Sequence, residues 1–369
     1  MKNFPTRALA GALGAAALLG VLLVFPADSV AGVRAGLDCC VDQVIPALFP
    51  FFVAASLAAA GPLARWLGLA VWPVSRLCLG LRGRRAATAL LLAWLGGFAV
   101  AARTVDQLYR QGQLDRRHAQ LLLVAGVGSS PGFVVNAVGC LMLGSPRLGW
   151  CLLAALLAAD LVAGVVFRFA LPGPRRAAPE PPDTEEEATD LVAAIGGAVQ
   201  SMLTVCGFVV FFSFLARVLA RLLPAGGWAT GAAMLLEVTG GCVQASALPG
   251  AAAVYGCCAA LSLQSLSVLL QVRALVSREL SLLPLLAARP LHLAVSLAAL
   301  RLLLGCVPGA AAAARTLGGG LIVSSRTAPD TALVLFALCC AVLYGIRFTT
   351  GKGWGIMDEN RERRRRHVP

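Results

Sequence analysis

Long apolar stretches alternate along the chain with short groups of arginine, proline and acidic residues. Runs of spanning length fall near 8–26, 44–61, 119–143, 150–171, 197–223, 251–271, 282–304 and 331–348. A helix needs about 20 apolar residues to cross about 30 Å of hydrocarbon, so these runs predict about eight transmembrane helices. Two shorter apolar runs lie near 86–102 and 231–247, and each holds a glycine pair, Gly96-Gly97 and Gly240-Gly241. Half of such a run is too short to cross. Both are expected to be re-entrant helical hairpins broken at the glycines. A bilayer tolerates such a break only where the backbone lines a cavity or is buried in protein. The predicted fold class is therefore an all-α polytopic membrane protein.

Composition agrees. Of the 369 residues, 59% are hydrophobic and 13% are charged, and the mean hydropathy is +0.81. An ordinary soluble domain carries about 25% charge, so a soluble enzyme is excluded. Disorder needs low hydrophobicity and is excluded too. The first run follows Lys2 and Arg7 and has no small-x-small cleavage site after it, so it is expected to remain as a first span. The 12 cysteines show no CxxC pair and sit mostly inside apolar runs, as small packing residues do.

The net charge of +13 orients the chain rather than binding nucleic acid, because the basic residues lie between apolar runs and in the tail, at Arg361 and Arg363 to Arg366. With eight runs spanning, two re-entering and both termini in the cytoplasm, most of the 31 lysines and arginines fall on the cytoplasmic side. Letting the short runs span instead would put Arg103 to Arg117 opposite Arg65 to Arg85. Trp66, Trp72, Trp150 and Trp228 lie near the expected span ends, as interface aromatics do.

A proline-rich, acidic segment divides the chain. The expected organisation is an N-terminal span and connection (1–43), a first repeat (44–171), a cytoplasmic linker (172–196), a second repeat (197–304) and a C-terminal span with a basic tail (305–369). Each repeat reads span, short Gly-Gly run, span, span. The first begins by entering the cytoplasm and the second by leaving it, so the two are inverted. Inverted repeats with broken midplane elements are the pattern of secondary transporters.

An ionisable group deep in an apolar run costs at least about 2.5–3.5 kcal/mol, which makes it a functional candidate. Glu237 stands beside Thr239, Gly240 and Gly241 at the break of the second hairpin. Arg289 and His292 share one face of the seventh span. Arg289 could clamp a carboxylate, pair with Glu237 or snorkel to the interface. Asp160 in the fourth span has no predicted partner. Ser129, Ser130, Pro131 and Gly132, with Asn136 one turn on, interrupt the third span; Ser262, Gln264, Ser265 and Ser267 are their counterparts in the sixth. No phosphate loop, nucleophile elbow, HExxH motif or carboxylate pair is present, and there are three histidines, so neither enzyme chemistry nor a metal or cofactor is expected.

Phe49-Pro50-Phe51-Phe52, the segment ending Asp106-Gln107-Leu108-Tyr109, Ser129-Ser130-Pro131-Gly132-Phe133, and Leu236-Glu237-Val238-Thr239-Gly240-Gly241 occur in an order that resembles the YlbJ-type sporulation integral membrane proteins. These carry the nucleoside-recognition or Gate domain shared with concentrative nucleoside transporters. The resemblance covers most of 44–304. It implies a mother-cell or outer forespore membrane and movement of dipicolinic acid toward the spore. It would place Glu237, Thr239 and the Ser129–Gly132 stretch along the substrate path. The first hairpin departs from the family, with Gly96-Gly97-Phe98-Ala99-Val100-Ala101-Ala102-Arg103 where a Ser-Gly-Tyr-Pro pattern is usual. The expected function is transport of a small organic anion across the bilayer. A membrane scaffold for envelope assembly and a nucleoside-type transporter are the alternatives.

Overall fold

The computed structural model describes residues 6–59, 62–81, 83–172, 190–222 and 227–315. Among these residues every element is helical. The expected span at 331–348, the arginine tail and most of the linker lie outside the described residues. Six described helices are long and apolar enough to cross a membrane: Pro26–Ala54, Arg84–Arg110, Pro146–Ala170, Leu191–Leu222, Ala251–Leu275 and Leu283–Cys306.

In chain order the helices are α1 (Thr6–Val24), α2 (Pro26–Cys39), α3 (Ile45–Ala59), α4 (Pro62–Val74), α5 (Arg84–Arg110), α6 (Arg116–Gly126), α7 (Pro146–Ala170), α8 (Leu191–Leu222), α9 (Gly227–Leu236), α10 (Val238–Ser246), α11 (Ala251–Leu263), α12 (Leu266–Leu275), α13 (Leu283–Cys306) and α14 (Ala310–Arg315). Wider π-helical turns join α2 to α3 at Cys40–Val44 and extend α4 at Ser75–Leu79; a longer π-helical segment, Gly132–Met142, follows α6.

Two stretches depart from the hydropathy pattern. The connection expected up to residue 43 is helical and runs unbroken into the next span. Pro26 pre-sets its first turn and Asp28 faces the positive end of its dipole. What buries it is a G-x-x-x-G pair. A Cβ on Gly32 would sit 2.7 Å from Phe214 Cα, and one on Gly36 would sit 2.7 Å from Val210 Cα. Small residues thus bring α2 and α8 into backbone contact, the usual driving force for association in lipid. Residues 62–79, expected only as a basic connection, form α4 and its π turn, with Arg76 stacked 5.1 Å from the Trp72 ring.

Arginines at one end of the bundle hold the carbonyls that helix ends leave free. Arg117 donates to Leu171 O at 3.1 Å and to Arg168 O, at the end of α7. Arg168 donates to Leu77 O at 2.8 Å and Cys78 O at 3.2 Å, at the end of the α4 extension. Arg273 donates to Val276 O, Ser277 O and Leu280 O beyond α12. Arg110 pairs with Asp106 at 2.6 Å, and Asp106 accepts from the backbone and hydroxyl of Ser277, tying α5 to the end of α12.

Both glycine-bearing runs bend. Gly97 interrupts α5 with φ 73° and ψ −171°, a conformation that suits glycine alone. The chain enters α5 just after Gly80, which abuts Arg168, and leaves it just before Arg117, which bonds the Arg168 carbonyl. The segments that flank α5 therefore both reach the C-terminal end of α7. In the second run the break falls at Glu237, three residues ahead of the glycine pair. There α10 folds back on α9, and a Cβ on Gly241 would lie 2.7 Å from Met234 Cα.

Replacing Gly36 with Leu is expected to destabilise the protein by about 1–3 kcal/mol through overpacking against Val210. Gly207→Leu on α8, where a side chain would meet nothing within 4 Å, should leave stability unchanged. Thermal unfolding of the detergent-solubilised protein measures both.

Candidate functional site

Four interruptions of helical backbone meet in the middle of the bundle: Gly97 in α5, residues 127–130 between α6 and the π-helical segment, Glu237 between α9 and α10, and Gln264–Ser265 between α11 and α12. Each frees backbone groups that hydrocarbon cannot satisfy. The protein satisfies them locally. Trp94 Nε1 donates to Ala125 O at 2.8 Å, at the end of α6. The Gln264 side-chain amide donates to Val127 O, linking the two interrupted spans directly. Gln264 is the one described non-glycine residue with positive φ, at 51°. Such a conformation costs about 1–3 kcal/mol and persists where surrounding contacts demand it.

Glu237 caps α10. Its backbone is extended, at φ −146° and ψ 127°, and its Oε2 accepts from Gly240 N–H at 2.6 Å. A carboxylate at this position meets both an orphan donor and the positive end of the helix dipole. Ser130 plays a related part, its Oγ accepting from Phe133 N–H at 3.3 Å.

Three of these breaks, at Gly97, 127–130 and Glu237, border a cavity. Gly96, Gly97, Phe98 and Ala99 form one wall; Ser129, Ser130 and Phe133 a second; Glu237, Val238 and Thr239 a third. Val44, Leu48 and Phe52 together with α8 and α12 close it. Its free volume is about 30 Å³. That is room for about one water, against about 300–1,000 Å³ in pockets that hold small molecules. The arrangement is closed. Among the described lining residues Glu237 is the one that can ionise, and Gln271 adds an amide whose Oε1 has no partner. A larger hollow of about 600 Å³ lies at the far end of the bundle, between Arg147, Trp150 and Val307, and holds none of the interruptions.

The residues singled out in the sequence divide into four groups. Glu237, Thr239, Ser129, Ser130, Gly96 and Gly97 line the cavity. Gly240, Gly241 and Pro131 support it without lining it. Asn136 is exposed on the outer surface, turned away by the wide π-helical pitch. Gln264 and Arg289 belong to a second buried cluster. There His292 Nε2 lies 3.1 Å from Asp160 Oδ1, and its Nδ1 lies 2.5 Å from Ser262 Oγ. Ser296 Oγ is 3.2 Å from Ser262 Oγ. Arg289 donates to Leu285 O at 3.2 Å and toward Ser262 O at 3.5 Å, and its Nη2 has no partner. Arg289 does not pair with Glu237: its guanidinium bonds the Leu285 and Ser262 carbonyls, and Ser262 is the residue that links it to His292 and Asp160. Helix α13 turns its Arg289–His292 face to α7, not to the α9–α10 bend.

Gln271, Phe98 and Phe133 were missed. Gln271 had a signal, a lone amide in an apolar helix. Among the described residues no group of histidine, cysteine and carboxylate side chains could hold a metal ion, and the described cysteines are free. Comparison with protein-family models, with curated proteins and with solved structures found no match to this chain.

Glu237→Ala is expected to cost about 0.5–2 kcal/mol of stability, the range for a lost N-cap. Glu237→Gln keeps the acceptor and should cost less. Chemical denaturation in detergent, followed by helical circular dichroism, compares the three proteins.

Proposed function

We propose that this chain is a secondary transporter whose cavity around Glu237 receives a small organic solute. The observation that carries the reading is that bends from both halves of the chain meet at one buried, partly polar cavity. A purely structural membrane protein has no use for four costly interruptions gathered at one buried centre. In this reading α5 and the α9–α10 pair are re-entrant hairpins, one in each half, and the interruptions at 127–130 and 264–265 are counterparts of each other in the inverted halves. The narrow cavity is then a contracted form without solute, and movement of either hairpin tip widens it toward one side.

The resemblance noted above points to dipicolinate, carried in a mother-cell or outer forespore membrane, with the termini in the cytoplasm. A dicarboxylate would face the N-terminal end of the α5 arm that begins at Phe98, where the helix dipole favours negative charge. Glu237 must then be protonated while the anion is bound, because two like charges in a low-dielectric cavity repel. A nucleoside-type solute is the second reading. It is favoured by the lining itself, which offers Glu237, Thr239, Ser130 and Gln271 for hydrogen bonds and Phe98 and Phe133 for a flat ring, with no basic side chain among the described residues.

Purified protein in liposomes should accumulate labelled dipicolinate, with uridine as the competing candidate. Glu237→Ala and Gln271→Ala should each reduce uptake by about tenfold, the scale of a lost hydrogen bond to a charged group. The transport reading fails if neither solute enters through folded protein. The site assignment fails if uptake persists in full in both variants.

A further inference from the structure

The cluster of Asp160, His292, Ser262 and Ser296 lies outside the cavity and has no part in the function proposed above. It is buried: Ser262 and Ser296 are 0% exposed, and Asp160 and His292 are each 2% exposed. The order Asp, His, Ser resembles a hydrolase triad, but a nucleophile must be reached by its substrate, and Ser262 borders neither cavity. A different property sets the cluster apart. Its hydrogen bonds can run in either direction.

With a neutral imidazole, Ser296 O–H donates to Ser262 Oγ, Ser262 O–H donates to His292 Nδ1, and His292 Nε2–H donates to Asp160 Oδ1. With one proton added at Nδ1, the ring donates to Ser262 Oγ. Ser262 O–H then turns to Ser296 Oγ, and Ser296 O–H turns to the Leu293 carbonyl, 3.0 Å away. The change adds one proton and one positive charge and breaks no covalent bond. Neither state leaves a donor among Ser296, Ser262 and His292 without an acceptor. That is an unusual property in a buried polar network, where one unsatisfied group costs about 1–3 kcal/mol.

Asp160 from α7 faces the ring and attracts an added proton, while Arg289 on α13 balances Asp160 when the ring is neutral and opposes the proton; the charged form carries one net positive charge. Around Arg289 and Asp160, α6 and α7 contribute Val124 and Ala163, packed on Ala288. The cluster also adjoins the cavity wall. A Cβ on Gly128 would meet Asp160 Oδ2 at 3.0 Å, while two residues on, Ser130 lines the cavity and packs on Gly97. One short interrupted segment therefore has the cavity on one side and the carboxylate on the other.

We propose that Asp160, His292, Ser262 and Ser296 form a proton-binding site that communicates with the cavity through the 127–130 interruption. Proton binding itself needs no transported solute; its coupling to solute movement rests on the transport reading.

The test uses the full chain in nanodiscs with 15N-labelled histidine. Three histidines give few signals, and His292→Gln assigns the one of interest. On acidification the two ring nitrogens of His292 should pass from the singly to the doubly protonated pattern. Asp160→Asn should abolish that response. Ser296→Ala, which removes the acceptor needed only in the charged state, should require about tenfold more acid for the same charged fraction, the worth of one hydrogen bond. If the wild-type ring keeps one protonation state while the other histidines titrate, the site is a structural clamp and the proposal falls. If Ser296→Ala titrates as wild type, the reversible chain is wrong. Uptake without a titrating His292 would overturn this site and leave the transport reading standing. A titrating His292 without uptake would do the reverse.

Discussion

The structure depends on one constraint. A backbone N–H or C=O released inside hydrocarbon must find a partner within the protein. Helices that run unbroken satisfy this by themselves, and the apolar lengths of α7, α8 and α13 follow from it. The interruptions do not, and each brings its own repair. Trp94 bonds Ala125, Gln264 bonds Val127, Glu237 bonds Gly240 and Ser130 bonds Phe133. Two of these repairs are local caps, but Trp94 to Ala125 and Gln264 to Val127 cross between elements, so the segments they join must lie together. Their convergence creates a polar centre in a chain with very little charge.

The same constraint shapes the end of the bundle where helices finish. Terminal carbonyls there are met by Arg117, Arg168 and Arg273. Arginine suits this task, since its planar fork reaches two acceptors at once and keeps its charge. The basic residues that orient a membrane protein thus also finish its helices.

Buried charge follows a second logic. Isolated, Asp160 or Arg289 would be costly in the core. Together with His292 they form a compact group with little net charge, bonded to serines whose hydroxyls can turn. Glu237 is handled differently, by a helix N-terminus in place of a counter-ion. The two ionisable centres are therefore separate, held apart by the short 127–130 segment.

Much of this was legible in the residues. Hydropathy located the long helices, and the glycine pair at 96–97 marked the bend in α5, since φ of 73° is open to glycine and costly for other residues. Glu237 beside glycines in an apolar run announced a break, although the break falls at Glu237 and not at Gly240-Gly241, and the capping role of Glu237 emerged only from the structure. The helix at 26–39 was hidden, because its stability comes from contact with α8 through Gly32 and Gly36, and hydropathy carries no record of a partner. The partner of Asp160 was hidden for the same reason: it lies 132 residues away on another helix. Asn136 misled because a π-helical pitch rotates side chains away from the α-helical face. Local chemistry, read along the chain, determined where helices form, where they break and which side chains are expensive to bury. Tertiary structure alone decided which breaks meet and which charges pair, because those choices belong to groups far apart in sequence that the bilayer forces to satisfy one another.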